Sequence, residues 1–498
     1  MQRKQLTLVI VSLLVVVLSV SLAYFTTQII GKGKNLNVTS ANLQIVFTDS
    51  DGSISGSNIE PGWSATKTFT IKNDTKTEYK YNIVIKDLLN TFVTKGYLQY
   101  KITSTNNGYN MTEFKDIPKS SIATDTILAY SVVIPNGVTQ SYTIEFKYSN
   151  DESVDQSEDM GKKLSGTLFI TEGTEDPNKT LYNQLLVDKS TKLTRTDFST
   201  VLTTDNTNTL YTSTEDSKTV YYFAGNATDN WVKFGKNKSN QDLYWRIIRT
   251  NSDGSVRLLY HGTSTTATNA YIGITEFNST YNNPMYVGYM YGTSGSLVNN
   301  RTNTNNSTIK GIIDTWYKDN LNTNYGKYIS TTAVYCNDRS VTNGSYSTSS
   351  SFDYAAYTRL GSNKTPKYDC AATEDKFTVD TSTGNGKLTY PIALMTADEV
   401  SFAGGLYGTS TETWYYKNSA NGSSTGSQWW WLLSPRLWSG SYALVFIVYG
   451  SSGNLYYNYI SGAYNVRPAL SLKSCVKYSS GDGSASDPYT IKETETGC

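Results

Sequence analysis

The sequence predicts a β-rich, multidomain protein: an N-terminal antiparallel β-sandwich followed by an α+β domain. Three observations carry this. Between residues 37 and 170, short apolar–polar alternations recur, with turn residues between them. Charged residues are only 17 % of the chain, and polarity comes from Ser, Thr, Asn and 40 tyrosines. Thr and Tyr favour strands, and Thr, Tyr and Asn are mediocre helix formers. Finally, residues 429–472 set a Tyr-, Ser-, Asn- and Gly-rich stretch between two rigid ends. At 498 residues, the chain is long enough for about two or three domains.

The chain opens with Gln2-Arg3-Lys4 and an apolar run over residues 6–24. A basic start held inside sends the rest of the chain across the membrane. Ser21-Leu22-Ala23 fits a small-x-small cleavage pattern. The run is also close to the length of a spanning helix. Residues 1–36 are therefore expected as a signal or anchor segment with its linker, and both alternatives stay open. Alternation then predicts strands over 65–71, 79–85, 98–102, 128–134, 140–148 and 166–170. Pro61-Gly62, Asn73-Asp74 and Pro135-Asn136-Gly137 mark turns between them. Half a dozen short strands at this spacing predict a sandwich over 37–172.

Residues 173–210 are expected as a linker carrying a short helix at 180–187, and 211–498 as the second domain. Strands are predicted at 219–223, 243–250 and 255–260, with Asn251-Ser252-Asp253-Gly254 as a hairpin turn between the last two. Apolar spacing at Ile309, Ile312, Ile313, Trp316 and Leu321 predicts an amphipathic helix over 308–321. Thr396 caps a helix start. Residues 480–491 form a final turn and strand, and the Ser/Thr/Asn-rich stretches 262–269, 299–307 and 345–351 are surface loops. The four cysteines are Cys336, Cys370, Cys475 and Cys498. An even number in an exported chain predicts disulfides. Proximity favours Cys336–Cys370 and Cys475–Cys498 among the three connectivities.

The rigid ends of the 429–472 segment are Trp429-Trp430-Trp431 with Ser434-Pro435, and Val466-Arg467-Pro468-Ala469-Leu470. Tyr and Trp give contact area at low entropic cost, while Ser, Gly and Asn give adaptable hydrogen bonds. The candidate outward, ligand-binding residues are Arg436, Trp438, Tyr442, Phe446 and Tyr449, then Tyr456, Tyr457, Asn458, Tyr459 and Tyr464. Trp, Tyr and Arg clusters concentrate binding energy. Strand alternation turns about half of any aromatic run inward. Gly453, Leu455, Ile460 and Val466 are assigned to turns and core, and the three tryptophans at 429–431 to core.

Other classes are disfavoured. Net charge is +1, from 43 basic and 42 acidic residues, with no basic stripe for nucleic acid. His261 is the single histidine, and no zinc-protease or phosphate-loop pattern is present. Gly422-Ser423-Ser424-Thr425-Gly426 matches a nucleophile-elbow motif but lacks its strand-to-helix setting. Asp49, Asp51 and Glu60 are spaced like calcium-loop ligands, but Ile54 stands where that loop needs glycine. No catalytic residue, metal or cofactor is expected.

Two resemblances add to this. Leu22-Ala23-Tyr24-Phe25-Thr26, a strand near 43–47, Pro61-Gly62 and Phe69-Thr70-Ile71-Lys72-Asn73 resemble the biofilm-matrix fibre proteins of the TasA and camelysin group. That implies a jelly-roll-like sandwich at the envelope and possible self-assembly. Tyr244-Trp245-Arg246-Ile247-Ile248, the helix start near 397–400, Trp430 to Pro435, and Val466 to Leu470 resemble the C-type-lectin-like fold in its bacterial formylglycine-generating-enzyme-like branch. The resemblance implies that the two anchor strands are central and the segment between them lies on an exposed face. It implies a non-enzymatic member, since the reactive cysteines of the enzymes have no counterpart in 429–470. Some members are variable proteins of diversity-generating retroelements. Mutagenised Asn codons there yield Tyr, Ser, Phe, Ile, Val, Leu and Gly, the types found here. The expectation is an exported or cell-surface, adhesin-like protein with an unidentified protein or glycan ligand. It touches the membrane only through its N-terminal segment if that is retained. The alternative is an envelope or matrix-fibre protein assembling through the sandwich.

Overall fold

A computed structural model describes residues 36–40, 43–49, 53–55, 59–267, 270–415, 417–418, 423–424, 428–450 and 452–498. The expected signal or anchor at 1–35, the loop of the calcium-like pattern and most of 422–426 lie outside them. Strand residues outnumber helical ones, 39 % to 13 %, so the protein is β-rich. Among the described residues no sheet closes on itself, and no helix is long and apolar enough to cross a membrane. The chain divides into two compact units, Met1–Pro177 and Asn178–Cys498.

The first unit has ten strands: β1 (Leu36–Ser40), β2 (Leu43–Asp49), β3 (Ser53–Ser55), β4 (Ser64–Asn73), β5 (Tyr79–Asn90), β6 (Leu98–Ser104), β7 (Lys115–Asp116), β8 (Ser120–Ile134), β9 (Thr139–Tyr148) and β10 (Leu164–Glu172). They form two antiparallel sheets, β1-β2-β4-β9-β6-β7 and β3-β10-β5-β8. Alternation explains why. In β9 every second side chain, from Gln140 to Tyr148, is buried. Phe69, Ile71, Ile102, Ile144 and Phe146 of one sheet and Ile83, Ile85, Leu128, Leu168 and Ile170 of the other belong to a single core. The polar side chains inside are paired. Tyr81 Oη donates to Gln140 Oε1 at 2.5 Å, and Asn73 Nδ2 donates to the Ile134 carbonyl at 2.9 Å.

The second unit starts earlier than the sequence suggests. Thr180 caps the helix Leu181–Asp188, whose Leu181 and Leu185 are buried in the unit's main core. Strand Thr191–Thr194 then pairs in parallel with Thr209–Glu215. Residues 178–210 are therefore part of this unit rather than a linker: two leucines one helical turn apart supply an apolar stripe that must be covered. A ten-stranded sheet contains Asp242–Thr250, Val256–Gly262 and Pro468–Leu472. Asn251–Gly254 turns between the first two, with Gly254 at φ +79°. A seven-stranded sheet contains Trp430–Trp438, Ala443–Val448 and Leu455–Tyr459. Helix Thr308–Asn320 buries Ile309, Ile313 and Tyr317. Ile312 corrects the sequence expectation: it is exposed, because the buried stripe runs through positions four residues apart.

Charged side chains hold this core together. Thr396 and Glu399 make a reciprocal capping box on helix Ala397–Phe402. The same Glu399 accepts from Arg249 Nε at 3.0 Å and Arg257 Nη1 at 2.8 Å. Arg249 reaches on to Glu215 at 2.8 Å. One carboxylate thus ties the helix to two neighbouring strands and, through Arg249, to a third. Burial alone would raise the Glu399 carboxyl, but the Arg257 and Arg249 charges outweigh it and hold it below its ordinary 4.5. The disulfides Cys336–Cys370 and Cys475–Cys498 close segments of this unit.

Glu399→Gln should destabilise the second unit by about 3–5 kcal/mol in denaturant unfolding, since it strands two buried guanidiniums. The depressed carboxyl also fixes a sign. Its stabilisation is present above the ordinary value of 4.5 and is lost as pH falls below it. The variant should lack that component of acid sensitivity.

Candidate binding face

The 429–472 segment divides sharply between frame and surface. All six residues of strand Ala443–Val448 are buried, as are eight of the nine in Trp430–Trp438. The expectation of an exposed connecting segment is therefore corrected for its first half. Three candidate residues are frame. Trp438 and Phe446 are 1 % and 0 % exposed, and Arg436 is 7 % exposed. The physical reason is that these two strands are covered on both faces, so alternation cannot bring side chains out.

Outward residues come from the edge. Strand Leu455–Tyr459 pairs with Ala443–Val448 on one side and, among the described residues, has a single isolated bridge, Leu455 to Tyr407, on the other. Tyr442, Tyr456 and Tyr459 are exposed, while Tyr449, Tyr457, Asn458 and Tyr464 are half-buried. Leu455, Ile460 and Val466 are fully buried. Gly453, at φ +70°, makes the connecting turn by donating to the Tyr449 carbonyl at 2.8 Å. Trp430 and Trp431 are core, whereas Trp429 is half-buried and belongs to the face.

The rings form two connected groups. In the first, Tyr464, Trp429, Tyr449, Tyr456 and Tyr457 run in a chain with successive centroids 5.1, 4.2, 5.8 and 4.8 Å apart. Tyr407 stacks on Tyr456 and Tyr457 at 6.0 and 6.2 Å. In the second, Tyr442 stacks on Tyr281 at 5.3 Å and meets Tyr459 edge-on at 5.1 Å. Such pairs add roughly 0.5–1.5 kcal/mol each beyond burial, which keeps the rings preordered.

Arg436 supports the first group from beneath. Its guanidinium lies 3.6 Å from the Tyr357 centroid and 4.6 Å from that of Tyr457, and Nη1 donates to Asp353 at 2.7 Å. Burial pushes the Tyr407 hydroxyl up to about 12, against a hydrogen bond and the charge of Arg436. Arg436 and Arg467 are the only charged residues in 429–472, and both are buried. The exposed part of this segment therefore carries no charge. Arg467 donates to the Tyr260 carbonyl at 2.9 Å and contacts His261 Nδ1 at 3.0 Å. Burial first, then the charges of Arg467 and Arg246, lower the His261 imidazole well below its ordinary value and keep it neutral.

Sequence reasoning misses Tyr281, Tyr357 and Tyr407. Each arrives from a distant segment, and no local pattern marks it. Among the described residues no group of three or more His, Cys, Asp and Glu could hold a metal ion.

Residues 364–474 match the model of a family described as a domain of unknown function (DUF6273). The match spans helix Ala397–Phe402, both anchor strands and the face residues of 407–464, but not Tyr281 or Tyr357. Neither a curated protein nor a solved structure matches the chain.

Frame and surface should respond differently to mutation. Trp438→Ala and Phe446→Ala should each cost about 3–5 kcal/mol in urea unfolding. Tyr459→Ala, which gives up a single ring pair, should stay within about 1.5 kcal/mol of the parent protein.

Proposed function

We propose that this is an exported surface protein whose second unit is a C-type-lectin-like binding head carried by an N-terminal β-sandwich. The observation that carries this reading is the exposed, uncharged tyrosine edge of strand Leu455–Tyr459, held on a buried frame. Two disulfides in the second unit are compatible with an oxidising, extracellular setting. The ligand is a protein or a glycan, met by stacked tyrosine rings and by hydroxyl and amide groups. No catalytic step is assigned to the face. A retroelement acting here would vary Tyr442, Tyr449, positions 456–459 and Tyr464. It would leave 443–448 unchanged, because those positions are core.

The rival reading, fibre assembly through the first unit, meets an obstacle at β8. This long edge strand has four register irregularities against β5, and Ser131 sits at φ +45°. Ser120 and Thr124 hydroxyls donate to the Ile122 carbonyl of the same strand. Bulges and self-satisfied groups blunt an edge against pairing.

The test is a protein and glycan array probed with the full chain and with a Tyr456→Ala/Tyr459→Ala variant. Ligands of the parent should bind the variant at least about tenfold more weakly, the loss of one hot-spot aromatic. Binding should change little between low and high salt, since segment 429–472 exposes no charge. Ligands that bind both proteins equally, or that elute with salt, would remove the face from the account.

A further inference from the structure

The strongest unexplained feature outside the face is a buried lysine at the start of the second unit. Lys189 Nζ lies 2.8 Å from Asp229 Oδ2, with side-chain exposures of 1 % and 7 %. A buried ion pair is a weak stabiliser, because desolvation of both charges offsets their attraction. This pair carries an added cost. Asp229 Oδ1 is buried without a hydrogen-bond partner.

The remaining groups hold the pair in a reactive pose. The Asn208 N–H donates to Asp229 Oδ2 at 2.7 Å. Asn208 sits at φ +55°, a left-handed conformation that asparagine tolerates, which aims that N–H at the carboxylate. Lys189 Nζ also donates to the Asp482 carbonyl at 2.9 Å. On its other side it faces the Tyr489 ring, 5.3 Å from the centroid. The 2.8 Å contact with Oδ2 places the amine directly beside the carboxyl group it would attack.

We propose that Lys189 and Asp229 condense into an intramolecular amide. The Lys189 ammonium first gives a proton to the Asp229 carboxylate, leaving a neutral amine and a neutral acid. The amine nitrogen attacks Cγ. The oxygen that becomes the oxyanion is Oδ2, already facing the Asn208 N–H. The C–Oδ1 bond then breaks and Oδ1 leaves as water. Of the three ammonium hydrogens, one stays on the amide nitrogen and two leave with the water. Nothing is oxidised or reduced, and no co-reactant is needed. The product replaces two buried charges and an unpartnered oxygen with one neutral amide.

The bond has a mechanical consequence. Helix Leu181–Asp188 and strand Thr191–Thr194 are the first elements of the second unit in chain order. The strand lies at one end of the ten-stranded sheet. Asp229 lies just before strand Trp231–Lys236 inside that sheet. A covalent tie between them stops tension along the chain from peeling the first elements away. The inference is independent of the binding face.

The test is peptide mapping of the purified full chain by mass spectrometry. The expected result is a branched peptide joining Lys189 to Asp229, lighter than its two parts by one water, with trypsin unable to cut after Lys189. Asp229→Asn, which has no carboxylate to take the ammonium proton, should give separate, unmodified peptides. Lys189→Arg should give separate, unmodified peptides. Unmodified Lys189 and Asp229 peptides from the parent protein would overturn the proposal. So would a water loss confined to the other buried pair, Lys310 and Asp314, 2.5 Å apart.

Discussion

The candidate face depends on one constraint: strand Trp430–Trp438 is covered on both sides along almost its whole length. It pairs with Ala443–Val448 on one edge and with Phe352–Tyr354 on the other, and touches Tyr464–Val466 at one position. Ala443–Val448 inherits the same burial. Side chains can then leave the fold at the turn before the second strand, at the turn after it, and on the edge strand Leu455–Tyr459. That is where the exposed tyrosines stand. The fold thus separates positions that must keep their size from positions that can change without disturbing packing.

The frame is stiffened by charges placed where sequence composition alone would not suggest them. Glu399 joins the capped helix to strands 242–250 and 256–262. Arg359 grips Asp398 of the same helix through two contacts of 2.7 and 2.8 Å, and Arg339 is bonded to Asp375. Buried pairs of this kind contribute little net stability but are costly to break. Those at Asp398 and Glu399 meet on helix Ala397–Phe402. Arg436 acts differently. Its single carboxylate partner and two tyrosine faces make it a post beneath the first ring group.

Legibility in the sequence tracks burial geometry. Strands with one face on a core, such as β9, show alternation and are readable. So are the Thr396 cap, the Asn251–Gly254 turn and the nearest-neighbour cysteine pairs, which rest on local chemistry. Strands buried on both faces are not. ALVFIV over 443–448 has no period to read, so the sequence alone turns Phe446 and Trp438 outward. It turns Arg436 outward too, because a charged side chain is rarely buried unless it is paired. The partner, Asp353, is too distant in sequence to be seen. The helix at 181–188 is legible as a helix, but its docking partners, including Val476, are not. Tyr281, Tyr357 and Tyr407 require the fold itself.

The most direct measurement is tyrosine reactivity mapped by mass spectrometry on the folded chain under limiting nitration. Tyr442, Tyr456 and Tyr459 should react early, while Tyr289, Tyr354 and Tyr415, each essentially fully buried, should stay unmodified until the chain unfolds. Protection of the three edge tyrosines to the level of the core ones would mean that the edge is covered, and the face would not be available to a ligand.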